Sequence, residues 1–558
     1  MIKSVLIGVV CFLCVSAAVA AHGQTAKPPG TPRPGQIEKQ FERPPEPSAK
    51  PGPINIPESR LTPPPNAGDV KVVLHQVTVD GVTAYRPEAL RASYASILEK
   101  EVTLAEIYRV VEGLTAKYRN DGYVLSQVFV PAQTVEGGSI RLQALEGYIA
   151  NVRVEGGTDE MRRRVKKYGE KIRASRPLRM AALERYVLLV NDLPGFAAQA
   201  VLAPSTVPGA SDLVLQLARH REQSDLSSDN RGSEAQGPAR LSGNLILQSL
   251  VGAASRTELR SVTTFTNELF YAAVAHDQFI GAHGGKVGIA ASYVYSKPQE
   301  LSIVPLRLNE QSDSLHVSYS HPIIRRRSRN LFVRGMLTAF DSTSRVFNVT
   351  DTVDHVRSVT VGATYDGADR LGGVNLFDVA FSQGLQELGA SREGDQILSR
   401  STGRVDFRKS TIYAQRVQSL PAGWSLLFGA SGQYAFTDLL ASEMFSVGGE
   451  WFGRGYDPST LLNDHGAALK LDLRYSLRLG AKPITLMPFA FGDAGRVWQR
   501  TPFRGIEPSQ SIASAGGGAW LNVGRQFAGF IEIAKPFEPI VGQSATRGVR
   551  VYAGVSVR

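Results

Sequence analysis

Cysteine is nearly absent: the chain has 558 residues and two cysteines, Cys11 and Cys14. Both lie in the N-terminal apolar segment, and Val10 and Leu13 before them do not make a lipoprotein-like pattern. Once that segment is removed no thiol remains, which excludes disulfides and cysteine metal sites. An exported chain without disulfides has to be stabilised by size or by closure of the fold. Long apolar runs are missing as well. Beyond the N-terminus nothing approaches 18 uninterrupted apolar residues, so no spanning helix is expected. The nine histidines show neither H-E-x-x-H nor a close pair at ligand spacing. "GAHGGK" (Gly281 to Lys286) is one residue short of a phosphate loop and no Ser or Thr follows, so it reads as a glycine-rich turn. "GASG" at Gly429 is not a nucleophile elbow. No cofactor, no metal, no enzymatic chemistry and no nucleotide-driven pumping are expected. The net charge of +11 is scattered along an exported chain. It fits basic residues that line a wet lumen or meet acidic lipid headgroups better than it fits nucleic acid.

What is present falls into five stretches. Residues 1–21 read as a signal peptide: Lys3 gives a positive start, Val5 to Val15 is apolar, and Ala18-Val19-Ala20 is a small-residue cleavage site. Residues 22–69 form a leader that holds 13 of the 31 prolines, mostly extended and unable to build a core. Within it "GQIEKQFE" (Gly35 to Glu42) is either a small helix, possible as a plug, or plain linker. Residues 70–148 begin with "VKVVLHQVTVDG", read as one strand turning at Asp80-Gly81. A helical stretch near Pro87 follows. A second helix has Thr103 and Glu106 placed as a capping box, and Leu104, Ile107, Val111, Leu114 and Tyr118 recur at helical spacing. Two strands close this unit. Residues 149–222 repeat the same order of strand, helix, helix, strand, strand, so the chain carries an internal repeat.

From 223 to 558 the texture is β with glycine-rich turns. In "ALKLDLRYSLRL", Leu469, Leu471, Leu473, Tyr475, Leu477 and Leu479 share one face, and Lys470, Asp472, Arg474, Ser476 and Arg478 share the other. "GVRVYAGVSVR" and "SLHVSYSHPI" alternate in the same way. A soluble sandwich also alternates. The strongly charged polar faces and the length of the stretch favour a transmembrane barrel, with room for about 16 strands at about 21 residues each.

Four stretches carry a resemblance to a known family. They are "VPAQTVEGGSIRLQALEG" (Val130 to Gly147), "VNDLPGFAAQAVLAPSTVPGASDLVLQL" (Val190 to Leu217), "FSVGGEWFGRGYDPS" (Phe445 to Ser459) and "FAFGDAGRVW" (Phe489 to Trp498). Their content and order resemble the outer-membrane transporters of two-partner secretion, the haemolysin secretion/activation proteins of the FhaC and ShlB type, relatives of the BamA insertases. The resemblance implies an α+β pair of periplasmic polypeptide-transport-associated (POTRA) domains, followed by an antiparallel barrel in the outer membrane of a Gram-negative bacterium. It also implies that a loop around 445–462 folds into the pore, where Arg454, flanked by Gly453, Gly455 and Tyr456, contacts Asp493 of the barrel motif with Phe491 and Gly495. Two departures stand out. The family usually has a valine or similar residue where this chain has Gly453. Its barrel usually ends in an aromatic residue read by the barrel assembly machinery, and here the end is Val557-Arg558.

The residues support the direction of that contact. Phe489, Phe491, Asp493 and Gly495 alternate onto one face, and an aspartate aimed at lipid is costly, so that face belongs to the lumen. Arginine offers a planar fork that matches a carboxylate and keeps its charge. A solvated loop arginine, a lumen aspartate without a partner, and the neighbouring Asp457 as rival partner remain alternatives. The expected function is translocation, without ATP, of a large unfolded β-rich exoprotein such as an adhesin or haemolysin by a monomer in outer-membrane lipid, with the POTRA domains as receptor. A BamA-like insertase and a diffusion porin are the competing readings.

Overall fold

A computed structural model describes residues 35–42, 44–49, 63–207, 209–220, 224–299, 304, 307–395, 397–480, 483–502, 507–539 and 548–558. Residues 1–21, read as a signal peptide, and most of the proline-rich leader lie outside the described residues. No helix among them is long and apolar enough to cross a membrane.

The first unit is α+β. Its main helix, Leu104–Asn120, starts at a full capping box: Thr103 accepts from the Glu106 backbone and Glu106 accepts from the Thr103 backbone at 2.8 Å. Ile107, Val111, Leu114 and Tyr118 bury one face against Leu74, Val128, Ile140 and Leu142. The stretch read as one strand over 71–80 is two. Lys71–Leu74 pairs antiparallel with Lys100–Thr103, whereas Gln76–Asp80 runs parallel to Ser139–Leu145. The break falls at His75, because the amides of His75 and Gln76 both turn to the Gly138 carbonyl (2.8 and 3.2 Å) and the chain changes sheets.

The second unit has the order strand Tyr148–Gly156, helices Asp159–Arg173 and Met180–Asn191, and strands Phe196–Pro204 and Ala210–Arg219. The last strand lies between the other two, parallel to the first and antiparallel to Phe196–Pro204. Met161, Val165, Tyr168 and Ile172 of the first helix pack on Ile149, Leu213 and Leu215.

Sixteen antiparallel strands, from Asp225–Asp229 to Arg550–Val557, close into a barrel; His465–Tyr475 and Leu477–Arg478 make one of them, interrupted at Ser476. Closure leaves no sheet edge in lipid, where water cannot satisfy one. The closing contact is short: Leu226 to Asp229 pair with Val557 to Gly554. Burial along the wall runs opposite to that of a water-soluble protein. Leu469, Leu471 and Leu473 are 50, 48 and 39 % exposed, while Lys470 and Asp472 are buried. The outer face is apolar for lipid and the inner face is polar.

The second unit docks on the barrel's rim. Arg185 donates to the Pro322 and Ile323 carbonyls (2.8 and 3.0 Å), Glu160 accepts from the Ala253 amide (3.1 Å), and Asp192 takes both forks of Arg325 (2.8 and 2.6 Å).

Candidate functional site

Between strands Trp424–Ala435 and His465–Tyr475 the chain turns back into the barrel. A small hairpin, Phe445–Val447 with Leu461–Asn463, brings Val447, Tyr456 and Leu461 against Ala468, Val497 and Ile512 of the wall. Gly453 has φ +91°, a left-handed conformation that a residue with a Cβ adopts only under strain. Gly455 needs its missing side chain for a different reason: a Cβ there would sit 2.8 Å from the Cβ of Ser514 and 2.9 Å from the Pro536 nitrogen. The two glycines therefore aim Arg454 at the wall and let the loop backbone touch it.

Arg454 is 5 % exposed. Its Nε and Nη2 donate to the two oxygens of Asp493 at 2.9 and 2.8 Å, and its backbone amide adds a third bond at 3.1 Å. Nη2 also reaches Asp472 at 2.6 Å. The Phe491 ring lies under the guanidinium, 3.6 Å from its carbon. Asp472 is bound in turn by Arg474 at 2.6 Å. Lys470 stands opposite Asp493 in the strand register, yet its ammonium lies over the rings of Trp451 and Phe452 (5.2 and 5.4 Å). The carboxylate thus takes the bidentate fork in preference to the neighbouring point charge.

The structure brings Arg454, Asp493 and Phe491 together, with Gly495 one step along the same wall face, against Val447. Tyr456 is buried; its one hydroxyl proton lies within reach of the Ala513 and Glu538 carbonyls (3.1 and 2.9 Å), and its oxygen accepts from the Glu538 amide (3.0 Å). Asp457 is not a partner of Arg454. It binds Arg550 of the last strand and accepts from the Glu234 amide at 3.2 Å. Sequence reasoning placed Asp472 on the lumen face but missed it as the second carboxylate on Arg454. The signal was the alternation of "ALKLDLRY", which lacked only the register that puts Asp472 opposite Phe491.

A helix, Gln36–Phe41, lies inside the barrel. Ile37 and Phe41 pack on Val262, Leu269, Tyr271 and Val294 of the wall, and Phe41 meets the Tyr271 ring at 4.7 Å. Its polar side holds the infolded loop: Gln36 donates to the Ala441 carbonyl (2.6 Å) and Lys39 to that of Met444 (2.9 Å). Among the described residues no group of three or more His, Cys, Asp or Glu is placed to hold a metal.

A closed sixteen-stranded barrel, with a loop clamped to its inner wall and an α+β unit docked on its rim, defines an outer-membrane translocation barrel. The family described as haemolysin secretion/activation protein ShlB/FhaC/HecB matches residues 209–521, and the ShlB-type POTRA domain matches residues 72–147. The chain belongs to the ShlB/FhaC/HecB family. Relatives include the heme/hemopexin transporter protein HuxB of Haemophilus influenzae, 23 % identical over 459 residues and 79 % of each chain. The hemolysin transporter protein HpmB of Proteus mirabilis is 24 % identical over 502 residues, 82 % of this chain and 81 % of its own. Among solved structures, CdiB from Escherichia coli superposes with a TM-score of 0.73 at 20 % identity, covering 89 % of this chain and 92 % of its own. The protein is an outer-membrane transporter of two-partner secretion that carries an exoprotein across that membrane, with its POTRA domains in the periplasm.

Proposed function

We propose that transport is passive and gated from inside the barrel. Residues 70–148 and 149–222 act as two POTRA receptors and residues 223–558 as the channel. The POTRA sheets offer strand edges, among them Phe196–Pro204 with Val201 and Leu202 exposed, to which an unfolded β-rich client adds as a further strand. The helix Gln36–Phe41 and the loop at 445–462 close the lumen at rest. A cavity remains between helix and loop tip, lined by Lys39 and Gln40 of the helix and by Trp451 and Phe452 of the loop. The clamp of Arg454 on Asp493 and Asp472 is the observation that carries this reading, because it fixes a mobile type of element, a long loop, to the rigid wall.

The client leaves as helix and loop move, and its folding outside makes the step one-way without a nucleotide. A large β-rich exoprotein, such as an adhesin or a haemolysin, the latter named in the relative HpmB, fits a polar lumen. The protein works as a monomer in lipid and is itself inserted by the barrel assembly machinery. The test is reconstitution: the full chain in proteoliposomes, an unfolded exoprotein from the adjacent gene outside, and no nucleotide. Client protected from added protease is the expected result, and a strict requirement for ATP would sink the proposal.

A further inference from the structure

A second polar network links three parts of the molecule that transport must coordinate. The leader segment at 44–49 meets the barrel wall through Ser48 and Ala49. There the Ala49 amide donates to Asp366 at 2.6 Å and the Ser48 hydroxyl to its other oxygen at 3.4 Å. Asp366 is 2 % exposed. Asn330, opposite it in the strand register and fully buried, donates through Nδ2 to Asp366 (3.0 Å) and to Ser48 (3.2 Å). The Asn330 carbonyl oxygen accepts from Arg325 Nη1 at 2.8 Å and from the Arg326 amide at 3.1 Å. The rest of the Arg325 fork is spent on Asp192, at the C-terminal end of helix Met180–Asn191 in the second POTRA unit. An unbroken chain of hydrogen bonds thus runs from the leader, through three wall strands, to the receptor.

We infer that Arg325, Asn330 and Asp366 are positioning residues for transport, which tie the leader's place in the pore to the docking of the second POTRA unit on the rim. The chemistry gives the link a direction. Asp366 is a buried carboxylate whose contacts from the leader are two neutral donors. Arg325 is a buried guanidinium whose carboxylate comes from the docked unit. When client binding shifts that unit, Arg325 loses Asp192, and a guanidinium left at the wall without its carboxylate is drawn to another. The carboxylate within its reach is Asp366, one amide away. The leader's bonds join neutral donors to that ionised acceptor, whereas a guanidinium brings a full opposite charge and a planar fork to it. Arg325 therefore displaces Ala49 and Ser48, and the leader is released from the wall. Capture at the receptor becomes opening at the pore.

This inference rests on the leader closing the channel, and the experiment separates the two. The full chain is reconstituted in planar bilayers, and the open fraction is measured for wild type, for deletion of residues 36–49, for Asp366→Ala, for Asp192→Asn and for the pair Asp192→Asn/Asp366→Ala. Heat-modifiable mobility on gels confirms that each barrel is closed. The deletion opens the channel if the leader is the plug. Asp192→Asn touches no leader atom, yet raises the open fraction by on the order of tenfold, the size expected for a charge-assisted hydrogen bond. The pair opens no further than Asp366→Ala alone, as for residues acting in series. Asp192→Glu restores the closed state. Glu160→Ala removes a different contact of the same unit, to the Ala253 amide at 3.1 Å, and leaves the channel closed. A deletion that changes nothing overturns the plug and the link with it. If the deletion opens the channel and Asp192→Asn does not, or if Glu160→Ala opens it equally, the link alone is wrong.

Discussion

The first POTRA unit and the barrel wall use opposite signs of the same device. In the helix Leu104–Asn120 the apolar residues Val111 and Leu114 are fully buried. In the wall strand His465–Tyr475 the leucines face out and Lys470 and Asp472 face in. Each pattern is amphipathic, and the surroundings decide which face is the inside. The consequence for charge is just as sharp. In the water-exposed unit, pairs such as Lys71 with Glu101 keep more than half of each side chain exposed, and such pairs contribute little. In the lumen Arg454 with Asp493 and Arg334 with Asp378, and at the rim Arg325 with Asp192, are partly or wholly buried. There the cost of leaving one partner alone is what holds an element in place.

Removing one cation from each region breaks or sharpens this contrast most. Arg454→Ala leaves Asp493 and Asp472 buried with too little positive charge, and we expect a loss of about 3–5 kcal/mol in loop docking. Surface-exposed client should fall to background while the barrel still runs as a folded band. Lys71→Ala should change stability by less than about 0.5 kcal/mol. Equal effects of the two would end the comparison. The next largest effect is on the apolar outer face. Leu471→Arg should lower barrel stability by about 2–4 kcal/mol where the site lies deep in lipid, read as a shifted midpoint in urea. Val201→Arg, on the exposed edge of the second POTRA unit, should leave that midpoint unmoved.

How much of this was legible in the sequence follows from the range of each signal. Local patterns read well: the capping box at Thr103 and Glu106 marks a helix start, and alternation around Leu471 separates lipid face from lumen face. The likeness to a closed barrel with POTRA units came from motifs, and the juxtaposition of Arg454 with Asp493 was accessible only through resemblance, since 39 residues separate them. Asp472 escaped because its partner depends on hairpin register, which no single strand encodes. Asp457 with Arg550, and the chain from Ser48 to Asp192, join residues far apart in sequence whose individual types are ordinary. The break at His75 escaped for a local reason: the apolar alternation on both sides of it is continuous, and only the Gly138 carbonyl, distant in sequence, splits the strand.

The smallest expected effect tests the water-exposed side of the comparison by pH. Burial pushes the Glu146 carboxyl up, but the Thr83 hydroxyl and amide, the Ala84 amide and the Tyr118 hydroxyl all donate to it and together hold it below the usual carboxylate range. A carboxyl whose pKa is lower folded than unfolded stabilises the fold fully above the unfolded value, about 4.3. That contribution is lost as the pH falls through the lower folded value. Calorimetry of the full chain in detergent should therefore show the POTRA transition moving down as the pH is taken from 7 to below 4. Glu106 and Asp121 are also held low, by the Thr103 backbone and by Tyr85, so Glu146→Gln should flatten this dependence without abolishing it. The same slope in wild type and variant would mean that the four donors around Glu146 organise the loop at 83–84 without favouring the ionised carboxylate.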